Sequence, residues 1–214
     1  SSGDYSIFSD VYVVSADGSK SFPYILQNNQ FIENSYYTLN KNVVLNSSLS
    51  LNIKGIDGKF RYAKYSNLYD ENAIYSLIFN GTGSVFEKEE FVGELENLNV
   101  IYNKNSITIN SKNFGLIASK NSGTIKNVNL IVNSLTIHNN AENNNIGLYF
   151  AENVGNIENC TISSAESDYA SILIDGKGAN FGGFVAINKK DGDKCGSITS
   201  GFDFLKTNNH SVAR

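Results

Sequence analysis

Apolar and polar positions alternate along this chain in short bursts, and most bursts end at Gly, Asn or Asp. The runs 11–14, 36–39, 42–45, 49–53, 74–79, 98–102, 106–109, 128–132, 134–137, 161–163 and 171–174 are of this kind. Alternation with period two places one set of side chains on each face of a strand, and the punctuating residues suit tight turns. No long run carries apolar residues at i, i+3, i+4 and i+7. The pattern predicts an all-β fold of many short strands.

The bursts recur. Asn113-Phe114-Gly115-Leu116-Ile117-Ala118, Asn145-Ile146-Gly147-Leu148-Tyr149-Phe150-Ala151 and Asn180-Phe181-Gly182-Gly183-Phe184-Val185-Ala186 are near copies. Gly115 to Gly147 is 32 positions, as is Gly123 to Gly155, and Gly147 to Gly182 is 35. Asn97, Asn127 and Asn159 form a further column, spaced 30 and 32. A fixed period in this range marks a repeat architecture. The pattern predicts a β-helix in which each unit is one coil of two or three strands. Equivalent residues then lie about 4.8 Å apart in neighbouring coils. Alternate Ile, Leu and Val fill the interior, and the Asn column stacks as an amide ladder at a corner. The Gly column marks either unusual dihedrals or close backbone approach. The chain reads as a single β-helix segment of a larger protein. Residues 1–75 are irregular N-terminal coils, with 61–75 a loop leaving the stack. Residues 76–200 are the regular repeats, and 201–214 a terminal tail.

Composition supports this and narrows the function. There are 32 Asn, 18 Gly and one Pro among 214 residues, and charged residues make up 18%. The net charge of −4 and the lack of Lys/Arg clusters exclude a nucleic-acid footprint. No apolar run is long enough for a transmembrane helix. The sequence has no Met, so it reads as an excised piece whose targeting signals are cut away.

The pattern Gly-Leu-Ile-Ala-x-x-Asn-x-Gly-Thr-Ile-x-Asn-Val over 115–128 resembles the GLUG motif of large bacterial surface and secreted proteins. These include filamentous-haemagglutinin-like adhesins and the N-terminal regions of IgA-cleaving metalloproteases. The resemblance covers about 37–200 and is strongest over 113–163. Residues 37–45 followed by Gly55-Ile56-Asp57-Gly58 are similar to the passage that often precedes such repeats. The first unit departs through a long insert before Gly93, and the fourth replaces Gly-Thr-Ile-x-Asn with Asp191-Gly192-Asp193-Lys194-Cys195-Gly196-Ser197-Ile198. The resemblance implies a right-handed parallel β-helix outside the cell, without catalytic activity of its own. The expected role is an adhesin-like stalk and contact surface for a host-cell or extracellular glycan or protein ligand, acting as a monomer without a cofactor. The alternatives are an accessory region of a large secreted protease and a polysaccharide-active β-helix enzyme.

Candidate chemistry is sparse. Cys160 and Cys195 each lie 13 positions after a repeat Gly, which makes them a possible coil-to-coil disulfide. Aligning Ile198 with Ile157 instead breaks that column. Asp191-Gly192-Asp193 lacks the further oxygen ligands of a calcium loop and reads as a solvated turn. His138 and His210 are the only histidines and read as exposed and non-catalytic. Glu87, Glu89, Glu90, Glu94 and Glu96 cluster around Lys88 and read as one solvated face. Arg61 and Arg214 are the only arginines. Tyr62, Tyr65, Tyr69 and Tyr75 form a possible ligand surface, since inserts in a solenoid often carry recognition. The competing reading is that they cover the insert or seal the end of the stack.

Overall fold

The protein is described by a computed structural model covering residues 15–27 and 31–208. The strand expected over 11–14, together with His210 and Arg214, lies outside the described residues.

The chain winds as a parallel β-helix. From Gly93 each coil has strands on four walls rather than two or three strands in all. Glu94–Tyr102, Ser106–Ile109, Asn113–Gly115 and Ala118–Asn121 make one coil. Thr124–Ile131, Ser134–Asn139, Asn144–Gly147 and Phe150–Asn153 make the next. In the third, Asn156–Glu158 and Thr161–Ser163 share the first wall, followed by Ala170–Gly176, Ala179–Gly182 and Val185–Asn188. Strands in the same position of successive coils pair in parallel, which builds four walls. Tyr24–Ile25, Tyr36–Thr38 and Gly55–Asp57 extend the first wall toward the N-terminus. Residues 202–207, read from sequence as a tail, form two more strands paired on the third coil. The strand predicted over 49–53 is reduced to one bridge between Leu49 and Phe86.

Period two decides the inside. Tyr37, Ile56, Leu95, Ile125 and Ile157 stack in register on the first wall, and all are at most 2% exposed. Phe114, Ile146 and Phe181 stack likewise on the third wall, and all three are buried. Each fully buried side chain of this size contributes roughly 1.5–3 kcal/mol.

Asn columns tie the coils together. Asn97, Asn127 and Asn159 all have φ between 50 and 54°. Asn tolerates this left-handed conformation better than most side chains. The bend lets the first-wall strands turn while the amides stack: Asn127 Nδ2 donates to Asn97 Oδ1 at 3.1 Å, and Asn159 Nδ2 to Asn127 Oδ1 at 2.6 Å. Asn121, Asn153 and Asn188 form a second ladder at 2.9 Å per step, and its first two members are fully buried. The repeated glycines serve close approach. A Cβ on Gly147 would lie 1.8 Å from the Phe150 carbonyl oxygen, and one on Gly115 2.2 Å from that of Ala118. Neither has a positive φ.

The repeat spacing lengthens in the third coil while the pairing continues. Thr161 sits 32 positions after its partner Asn129, but Ser171 sits 37 after Ser134 and Ser197 sits 41 after Asn156. A loop at 164–169 and an antiparallel hairpin, Lys190–Asp191 with Lys194–Cys195, account for the extra length. Ile198 therefore aligns with Ile157, and Cys195 lies in the hairpin, outside the Cys160 column. Cys160 is buried, Cys195 is exposed, and both thiols are free, so the expected staple is not made.

Candidate functional site

The loop predicted to leave the stack does so at Arg61 and returns through an antiparallel bridge between Lys59 and Ile74. It carries a short 3-10 turn, Ala63–Tyr65. Its tyrosines build a second small core with Ala16, Ile25, Phe60 and Ala63. Tyr62 is 2% exposed and its hydroxyl donates to the Pro23 carbonyl at 2.7 Å, so it is not presented to a ligand. Tyr69 packs its ring 4.5 Å from that of Phe60, and Tyr65 and Tyr75 are half-buried against the same cluster. These rings serve to hold the loop down.

The loop thereby positions Arg61 beside the outer surface of the first wall. There Tyr36, Gly55 and Glu94 are in register, as are Asp57 and Glu96 one pleat further on. Lys20, from the segment before the first described strand, reaches Glu94 with its Nζ 3.1 and 3.0 Å from the two carboxylate oxygens. That contact raises the Lys20 pKa. Arg61 lies 3.7 Å from Asp57. The other Asp57 oxygen accepts from the Lys59 amide at 2.9 Å and from Asn97 Nδ2 at 3.3 Å. Gly55 leaves the Tyr36 ring room: a Cβ there would lie 2.9 Å from Tyr36 Cδ1 and from the Glu94 carbonyl. The result is a shallow cleft with an aromatic ring, three carboxylates and two cations. The cleft is small, about 20 Å³, and its charges pair with one another, Lys20 with Glu94 and Arg61 with Asp57.

The sequence treated the acidic run as one solvated face, and the structure divides it. Glu94 and Glu96 face the cleft, whereas Glu90 lies on the fourth wall in register with Lys120. Asp57 was missed as a partner because it is 39 residues from Glu96, a separation that only coil stacking closes. On the fourth wall Lys120 meets Asp191 at 3.7 Å and Lys189 meets Glu152 at 3.1 Å. Asp191 is thus an ion-pair partner at the hairpin. Among the described residues no group of three or more His, Cys, Asp or Glu is arranged to hold a metal ion.

His138 lies in Ser134–Asn139 on the second wall and points outward. Its Nδ1 is 2.8 Å from Asp175 Oδ1 and its Nε2 3.0 Å from Ser106 Oγ.

Cys160 is no nucleophile. Burial pushes its thiol up to about 11. No helix is long and apolar enough to cross a membrane among the described residues. No protein-family model, curated protein or solved structure matches the chain.

Proposed function

We propose that this chain is a rigid stalk segment of a bacterial surface or secreted protein, with a contact site on its first wall. The observation that supports this reading best is the unbroken register of the first wall from Tyr37 to Ile198, with Asn ladders tying its coils. A stack whose backbone bonds are satisfied coil to coil, and whose corners are cross-linked by amides, resists bending. Such a rod holds a binding surface away from its anchor. The resemblance to GLUG-repeat proteins supports a place outside the cell. The cleft of Tyr36, Asp57, Arg61, Glu94 and Glu96 supports a glycan or glycoprotein ligand.

Glycan arrays and host-cell pull-downs with the full 214-residue chain test the contact role. Retention is expected, and it should fall at least tenfold in a Tyr36→Ala/Asp57→Asn double variant. If neither assay retains the chain, the contact role fails and only the spacer role survives.

A further inference from the structure

The second wall brings together three side chains that are far apart in sequence. Ser106, His138 and Asp175 come from three successive coils, with His138 in register with Asp175 and two positions beyond the partner of Ser106. A carboxylate oxygen is an acceptor, which assigns the donor role in the 2.8 Å contact to Nδ1 of His138. In the neutral ring Nε2 then accepts, and the Ser106 hydroxyl donates to it across 3.0 Å. This chain of roles is nucleophile, base and orienting carboxylate, recognised by geometry rather than sequence order.

The backbone adds a fourth component. Ser106–Ile109 is the edge strand of its sheet. The Thr136 amide donates to the Asn105 carbonyl and the Asn140 amide to that of Ile109. Odd-numbered residues of the edge strand therefore face the neighbouring coil. The Ser106 amide points the other way, to the edge where no strand of the described residues pairs, and is placed to donate to an oxyanion formed at Ser106.

We propose that Ser106, His138 and Asp175 form an acyl-transfer site for short acyl esters. Ser106 Oγ attacks the ester carbonyl carbon as its proton passes to His138 Nε2. The carbon–alkoxy bond then breaks, and His138 returns the proton to the departing alkoxide. Water repeats the sequence, forming the free acid and restoring Ser106. The three residues lie on an open, exposed wall that offers a long chain nothing to bury against, so a short acyl group is the substrate proposed. This site goes beyond the stalk reading and does not depend on the first-wall cleft. It departs from the expectation that His138 is non-catalytic, because residues 32 and 37 positions apart meet only through stacking.

The test is labelling of the full chain with a fluorophosphonate, mapped by peptide mass spectrometry, beside hydrolysis of p-nitrophenyl acetate. An adduct on Ser106 is expected. It should be absent in Ser106→Ala and formed roughly 100-fold more slowly in His138→Ala. Asp175→Asn should slow labelling and hydrolysis together. All three positions are exposed, so circular dichroism should be unchanged. The proposal is overturned if native Ser106 labels no faster than Ser171 or the urea-unfolded chain. It is equally overturned if His138→Ala labels at the unaltered rate, or if Ser106→Ala retains hydrolysis.

Discussion

Tyr149 crosses the interior and places its hydroxyl 2.9 Å from the Val128 carbonyl and 2.7 Å from that of Thr161. One proton is shared between two buried acceptors, so this phenol is needed in its neutral form. Burial pushes its pKa well above the free value of 10.0, raises that of Tyr102, and lifts that of Cys160 to about 11 from 9.0. Each group stays protonated in the fold while the unfolded chain loses its proton. Stability is therefore full below about pH 9 and falls as pH climbs from the free values toward the raised ones. Urea midpoints measured from pH 7 to 11 should be flat to pH 9 and then decline, and a Tyr149→Phe variant should decline less. Thiol titration gives a second check on single residues. Cys195 should react in the native chain and Cys160 only after unfolding, whereas an intact disulfide would leave neither reactive. The sequence misled here through a coincidence of spacing: a loop and a hairpin together moved Cys195 out of the column its distance from Gly182 suggested.

At the level of strands and corners, the Asn ladders and glycine contacts carry separable costs. Asn127 both accepts from Asn159 and donates to Asn97, and it holds a φ of 54°. Asn127→Ala should destabilise by about 3 kcal/mol, from two lost bonds and left-handed strain. Asn127→Gly, which keeps the backbone at ease, should cost about 1 kcal/mol less. Gly147→Ala drives a methyl into the Phe150 carbonyl and should cost about 3 kcal/mol. Gly178 has nothing within 4 Å of a new Cβ, so Gly178→Ala should change stability by no more than about 0.5 kcal/mol. Equal effects at the two glycines, read from urea melts, would contradict the close-approach account. These columns were legible in the sequence because stacking makes the same demand once per coil. The number of strands per coil was less legible, since Asn113–Gly115 and Ala118–Asn121 are short and separated by only two residues.

For the whole molecule, the period of 30 to 32 residues carries the fold, and the walls it builds carry the chemistry. Interior columns announce themselves as repeated Ile, Leu and Val. Outer groups do not, because the cleft needs Asp57 beside Glu96 and the second wall needs Ser106 beside His138, pairs that share no local motif. The tyrosine-rich stretch drew attention as a surface, yet Tyr62 is spent sealing the loop and the exposed chemistry lies next to it. Every one of these placements depends on coil register, which surface cross-linking reads directly. In a Cys195→Ala background, Lys126→Cys with Glu158→Cys joins two exposed positions that are register partners in adjacent coils, about 4.8 Å apart. Lys126→Cys with Thr161→Cys separates the thiols by roughly 11 Å, beyond disulfide reach. Under mild oxidation the first pair should close almost completely and the second remain reduced. Closure of the second pair, or failure of the first, would contradict the stacked register on which the account rests.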